Sequence, residues 1–224
     1  MNGITAYTPY RTRVFRWVVA RLLNWLFRIR VLGIDNIPAG GYIVYANHTS
    51  WVDTPLLLTT LPAEPRAYVI GEAKGLRALW KRAIVWLVGC VIAFDRHSEN
   101  KEIFSKPVEV LRAGAVLTLF PEGIRRDEEG TIVPFRRGIG HFAVQANVGL
   151  LPVALSGAYD LYWQKEIVVR IGKPFRVNVE GLDDRAAVDV VVHRAEEALR
   201  AILPPYVEPV VAKKLMRWLK DTLN

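Results

Sequence analysis

The sequence predicts an α/β domain with a largely parallel central sheet and flanking helices, on three observations. Short, mostly apolar runs recur at 42–46, 115–120 and 150–156, as strands buried on both faces of a parallel sheet require. Stretches long enough for helical crossovers separate them, such as 100–113, and parallel strands need such connections. Polar residues with chemical potential cluster just past the ends of the apolar runs, where open α/β sheets place their sites.

The first element is a helix. Between Tyr10 and Val31, Arg11, Arg13, Arg16, Arg21, Arg28 and Arg30 interleave with Val14, Phe15, Trp17, Val18, Leu22, Leu23, Trp25, Leu26 and Phe27. On a helix, Val14, Trp17, Val18, Leu22 and Trp25 share a face with Arg21, Arg28 and Ile29. Such an apolar stripe with arginine borders suits a helix lying in a membrane interface. It also suits a helix packed on the domain's own core. The arginines break every apolar run well short of the roughly 20 residues a spanning helix needs. Residues 1–29 are therefore read as a basic, amphipathic membrane-interface segment, 30–203 as the α/β domain, and 204–224 as a basic amphipathic C-terminal helix.

Residues 30–37 predict a strand, which Pro38, Ala39, Gly40 and Gly41 turn into the next over 42–46. Thr54 before Pro55 predicts a cap and first helical position, the helix running to about Leu61. A strand over 67–71 and a helix over 76–88 follow. The apolar run 83–94 is too short to span a bilayer; Gly89 divides it into helix and strand. A helix over 100–113, a strand over 115–120, a helix over 138–147 and strands over 150–156, 166–171 and 174–179 precede a long helix over 184–203. Pro204-Pro205 then links to Lys213, Lys214, Leu215, Met216, Arg217, Trp218, Leu219 and Lys220. That tail either lies on a membrane surface or docks on the domain.

A net charge of +8 on 224 residues calls for an anionic partner. No helix-turn-helix, RNA-recognition or zinc-finger pattern supports nucleic acid. The single cysteine, Cys90, excludes an intramolecular disulfide and a cysteine metal cluster. No second His or Cys stands at ligand spacing around His48, which disfavours zinc, and no metal is expected. No secretory signal is visible.

Asn47-His48-Thr49-Ser50-Trp51-Val52-Asp53 spans the turn between the 42–46 strand and the next helix. If that turn folds back, Asp53 holds one imidazole nitrogen of His48 and leaves the other free as a general base. Otherwise His48 is a loop histidine and Asp53 a helix N-terminal acid, and the bare spacing does not decide. Asp95-Arg96 and Pro121-Glu122-Gly123 follow strands ending at Phe94 and Phe120, at the same edge of the predicted sheet.

Four blocks in order resemble the glycerolipid acyltransferases of the 1-acylglycerol-3-phosphate acyltransferase (PlsC-like) family. Asn47 to Asp53 is similar to the family's NH-x4-D block. Val91-Ile92-Ala93-Phe94-Asp95-Arg96 resembles the second block, Phe120-Pro121-Glu122-Gly123-Ile124-Arg125-Arg126 the FPEG-T-R-S block, and Leu151-Pro152-Val153-Ala154-Leu155 the fourth. Pro134-Phe135-Arg136-Arg137-Gly138 is similar to the basic stretch after the third. Ile124 and Arg126 replace a usual Thr and Ser, and Cys90 sits where the second block often has glycine.

The resemblance implies the glycerolipid acyltransferase fold. It also implies transfer of an acyl group from a thioester, acyl-CoA or acyl carrier protein, to a lipid hydroxyl, with no bound cofactor. The leading acceptor is lysophosphatidic acid, giving phosphatidic acid in phospholipid biosynthesis. An alcohol needs a base to attack a thioester; His48 is that base, with Asp53 fixing its tautomer and stabilising the imidazolium. The nucleophile belongs to the substrate, consistent with the lack of a G-x-S-x-G elbow. Arg125 is the first candidate for the acceptor phosphate, followed by Arg96 and Lys74, with Glu122 and Gly123 completing the binding set. Arg96 pairing with Asp95 or Glu122, and a structural role for Glu122, stay open. His97, His141 and His193 receive no catalytic role. The implied location is peripheral or monotopic, on the cytoplasmic face of a membrane. Ile124 and Arg126 keep alive another lysolipid, such as a lyso-ornithine lipid, or glycerol 3-phosphate as acceptor. From a different class, a non-catalytic membrane-surface module also accounts for the charge.

Overall fold

A computed structural model describes residues 4–72, 90–94, 102–208 and 215–216. Lys74, Asp95, Arg96, His97, the helix expected over 76–88 and most of the C-terminal segment lie outside the described residues.

Helix α1 (Tyr10–Leu26) opens the chain and β1 (Arg28–Leu32) follows it. Next come β2 (Tyr42–Ala46), α2 (Asp53–Thr60), β3 (Ala67–Glu72) and β4 (Val91–Phe94). Helix α3 (Glu102–Arg112), β5 (Val116–Leu119), α4 (Gly138–Ala146), β6 (Gly149–Ser156), β7 (Glu166–Ile171) and α5 (Asp184–Ile202) complete the described elements. The strands form one seven-stranded sheet in the order β1-β7-β6-β2-β5-β3-β4. Strands β2 to β6 are mutually parallel. Strand β7 runs antiparallel to β6, and β1 runs with β7. The carboxyl ends of β2, β5 and β6 therefore meet at one edge, where the order reverses around β2.

Side-chain alternation divides the core between the two faces. Ile43 and Tyr45 of β2 join Leu117 and Leu119 of β5 against Val108 and Leu111 of α3, Ile139 and Phe142 of α4, and Val191 and Leu199 of α5. Tyr42, Val44 and Ala46 face the other way, against Leu23 and Leu26 of α1 and Leu56 and Leu57 of α2. Every residue of β2 is buried, as its unbroken apolar sequence predicts.

Helix α1 covers α2 with its Leu23/Leu26 side. Near its start, Arg16 donates to the carbonyls of Leu61 (2.5 Å) and Pro62 (3.1 Å) at the far end of α2. At its end, the Leu26 carbonyl accepts from the Gln164 N–H at 2.7 Å, in the loop that follows β6. The last turn of α1 thus lies toward the edge where β6 ends. The predicted apolar stripe points outward: Trp17 is 61% exposed and Trp25 59%.

Three local expectations change. The first strand occupies Arg28–Leu32 rather than 30–37. Gly33 ends it at φ 76°, pressed so closely on β7 that a Cβ would stand 2.2 Å from the Ile171 carbonyl oxygen. Arg28 and Ile29 thereby leave the helical stripe for β1. Residues 174–179 form no strand; Phe175 alone pairs with Leu150, through bonds of 2.9 and 3.0 Å. Pro174 has no N–H with which to extend that ladder. Finally, α2 begins at Asp53 with Val52 at the capping position, so Thr54 and Pro55 lie inside the first turn.

Candidate active site

Where β2 ends, the side chain of Asn47 extends its pairing with β6. Its Oδ1 accepts the Leu155 N–H at 2.8 Å, and its Nδ2 donates to the Leu155 carbonyl at 2.9 Å. A buried amide thus occupies the place of another backbone pair, and the main chain is free to turn out of the sheet at His48.

The turn closes on Asp53. Its Oδ2 accepts the N–H groups of Thr49 and Ser50, each at 2.7 Å, and meets Nδ1 of His48 at 2.8 Å. Asp53 is fully buried, while the His48 side chain is 22% exposed. An ionised carboxylate only accepts, so Nδ1 carries the proton. Nε2 holds the lone pair and makes no hydrogen bond to a described residue. The same loop amides that close the turn hold the carboxylate in place, which answers the ambiguity left by a five-residue spacing.

The third block supports the histidine from the other side. Phe120 stacks on the imidazole, with ring centroids 4.1 Å apart and 16° between the planes. Glu122 is buried and points inward: Oε1 accepts the His48 N–H at 3.4 Å and Oε2 the Val133 N–H at 3.1 Å. Burial pushes the Glu122 carboxyl above its usual range, against the pull of these two N–H groups and the charge of Arg126. The Arg126 N–H donates to the His48 carbonyl at 2.7 Å. Both main-chain polar groups of His48 are therefore held by residues of the third block.

Gly123 adopts φ 69° beneath Arg136, whose Nε would stand 2.3 Å from a Cβ there. Its role in this structure is conformational. Arg125 is exposed and carries no acidic partner among the described residues. The Arg126 guanidinium, by contrast, pairs with Glu128 and donates to Thr131 Oγ1 at 3.2 Å. Of the seven site residues expected from sequence, the fold brings His48, Asp53, Glu122, Gly123 and Arg125 into two touching loops. Lys74 and Arg96 fall outside the described residues. Asn47, Phe120 and the Arg126 main chain join the site without having been assigned a role from sequence. Their positions inside the blocks are the only signal that could have found them.

Residues 28–156 match the family model described as Acyltransferase, a span of more than half the chain. The chain belongs to the acyltransferase family. This acyltransferase is 33% identical over 189 residues to the human 1-acyl-sn-glycerol-3-phosphate acyltransferase alpha, a match covering 78% of this chain and 65% of the human protein. A lyso-ornithine lipid O-acyltransferase of Pseudomonas aeruginosa is 32% identical over 160 residues, covering 68% of this chain and 57% of that protein. The acyltransferase thus spans just under two thirds of the human relative's length. Among solved structures, the 1-acyl-sn-glycerophosphate (LPA) acyltransferase PlsC of Thermotoga maritima matches with a TM-score of 0.63 at 23% identity. That match covers 83% of this chain and 78% of the other, and it shows a common fold.

Within the acyltransferase, the His48 loop and the third block meet at the switch point of the sheet. A neutral imidazole backed by a buried carboxylate, its outer nitrogen making no hydrogen bond to a described residue, is fitted to remove a proton from a bound hydroxyl.

Proposed function

We propose that the chain is an O-acyltransferase that moves a fatty acyl group from a thioester to the sn-2 hydroxyl of lysophosphatidic acid, forming phosphatidic acid at a membrane surface. The observation that carries this reading is the 2.8 Å contact of His48 Nδ1 with buried Asp53, which leaves Nε2 open. As the acceptor oxygen attacks the thioester carbonyl, Nε2 takes its proton. The new C–O bond forms and the C–S bond breaks; the leaving thiolate recovers the proton from the imidazolium. Asp53 stabilises that cation while it lasts. The carbonyl oxygen needs donors as it becomes negative. Backbone amides of the 123–126 loop, tied to His48 through the Arg126 N–H at 2.7 Å, are our choice. Arg125, exposed and unpaired among the described residues, supports an anionic headgroup nearby. Arg96 and Lys74 are the further cations of this proposal. Acyl-CoA and acyl carrier protein both remain donors under it, and no bound cofactor is needed.

A second acceptor has a specific observation in its favour. The Arg126 guanidinium is already engaged with Glu128 and Thr131, which reduces the free cations in the third block. Together with the lyso-ornithine lipid O-acyltransferase relative, this supports a less anionic lysolipid. Thiol release from acyl-CoA or acyl carrier protein, measured with lysophosphatidic acid, lyso-ornithine lipid and glycerol 3-phosphate, separates the acceptors. Release is expected to depend on acceptor and to be fastest with lysophosphatidic acid. Release indifferent to every acceptor counts against transfer altogether.

A peripheral or monotopic seat on the cytoplasmic face of the membrane is part of the same proposal. Trp17, Val18, Leu22 and Trp25 expose one apolar strip of α1. Trp25 meets Trp163 edge-on at 4.5 Å, and the Trp163 N–H donates to the Leu215 carbonyl at 2.8 Å. The strip therefore ends in the loop after β6, toward the edge that carries His48. No described helix is long and apolar enough to cross a membrane. Replacing Trp17 and Trp25 together by Ala is expected to weaken binding to vesicles of equal phosphatidylcholine and phosphatidylglycerol by about tenfold or more. Co-sedimentation checks this, and unchanged binding removes α1 as the seat.

A further inference from the structure

Glu129 lies three residues beyond the Arg126 N–H that holds His48, and its carboxylate is turned away from solvent into the connection between β6 and β7. Oε2 accepts the Gly157 N–H at 2.9 Å and Oε1 the Tyr159 N–H at 2.6 Å. The Ala158 N–H between them adds its dipole. Gly157 sits at φ 84°, which lets successive N–H groups converge. Such a concavity of backbone donors binds anions; here the anion is a side chain of the protein itself.

Its neighbours hold the loop in the same place. Gly130 adopts φ 80°, and a Cβ there would approach the Tyr206 backbone nitrogen to 2.7 Å, so the chain past Pro204-Pro205 lies directly over it. That strap is fixed in turn by Lys165, buried to 2% exposure, which pairs with Glu208 at 2.5 Å. On the inner side, Arg126 contributes its N–H to His48 and its guanidinium to Glu128 and Thr131.

We propose that Glu129 is a positioning residue for the acceptor: its carboxylate, seated on the amides of 157–159, fixes the 123–131 loop and thereby places Arg125 beside His48. The proposal rests on the acyltransferase reading above. Burial pushes the Glu129 carboxyl above its usual range despite three backbone donors and the nearby charge of Lys165. A native pKa raised in this way favours folding at acid pH and withdraws that support as pH rises through the native value.

Glu129→Gln keeps the size of the side chain and one acceptor oxygen, while Glu129→Ala removes both. In steady-state thiol release with donor and acceptor varied separately, both variants are expected to raise the acceptor KM roughly tenfold. kcat is expected to fall about tenfold as well, because the 123–126 amides that meet the thioester oxyanion ride on the same loop, whereas the donor KM is expected to stay within about threefold. Adding Arg125→Ala to Glu129→Gln should give no further loss, because a released loop no longer presents Arg125. An unchanged acceptor KM, or losses that multiply in the double variant, overturn the proposal. So does a lowered melting temperature with kcat and both KM values degraded together. Amide hydrogen exchange reads the same coupling without turnover. Glu129→Gln should speed exchange at the Arg126 N–H, and unaltered protection there also overturns it. A wild-type protein that releases no thiol with any acceptor refutes the acyltransferase reading instead, and the exchange result then stands by itself.

Discussion

His48→Ala is expected to lower the rate of acceptor-dependent thiol release by about 10²- to 10⁴-fold, the range supplied by a positioned general base. The loss should fall on kcat, because the imidazole meets the acceptor proton only as the bond to the thioester carbon forms. The donor KM should change little. The fold should survive: the ring is 22% exposed and its removal leaves the two loop N–H bonds to Asp53 at 2.7 Å intact. Phe120 loses a stacking partner at 4.1 Å, a contact worth about 1 kcal/mol. Single-turnover thiol release with saturating acyl-CoA and acceptor checks the expectation, with near-ultraviolet circular dichroism as the control for folding. Turnover within tenfold of wild type would refute the base assignment.

Much of the architecture was legible because it is local. The uninterrupted apolar run of β2 announces a strand buried on both faces, and every residue of it is buried. The alternation of tryptophan and arginine in α1 identifies a face, and Trp17 and Trp25 are exposed on it. What stayed hidden depends on partners remote in sequence. Asn47 clips to Leu155 across 108 residues, a pairing that no periodicity encodes. The early end of β1 depends on how closely Gly33 approaches Ile171. Glu122 reads as an acid in a functional motif, and its inward turn is set by the N–H of Val133, 11 residues on. The capping expectation at Thr54 misled because Asp53 bends back to its own preceding amides. The helix starts at the residue doing so. For Asn47 and Glu122 the deciding bond joins a side chain to backbone brought near by the tertiary fold, beyond the reach of propensity or spacing.

Asp53→Asn should reduce kcat by about 10²- to 10³-fold, the scale of losing one preorganised electrostatic group. In a Ser-His-Asp triad, replacing the aspartate by asparagine costs about 10⁴, because the amide forces the wrong histidine tautomer. The arrangement here predicts a smaller loss. Three donors converge on one oxygen, Oδ2: the N–H groups of Thr49 and Ser50 and the Nδ1 proton of His48. The other oxygen, Oδ1, is buried and has no hydrogen-bond partner among the described residues. An asparagine therefore keeps its carbonyl oxygen facing the three donors and turns its NH₂ to the empty side. The Nδ1–H tautomer survives, and Nε2 remains able to accept a proton. What disappears is the negative charge that stabilises the imidazolium. Asp53→Ala removes the acceptor for all three donors, so it should lose activity and stability together. A buried unsatisfied donor costs about 1–3 kcal/mol. The ratio of the two variants is the informative quantity. Pre-steady-state thiol release with urea unfolding of each protein supplies it. If Asp53→Asn proves as slow as Asp53→Ala while folding like wild type, the tautomer has been lost, and the three-donor clamp does not hold the ring as described.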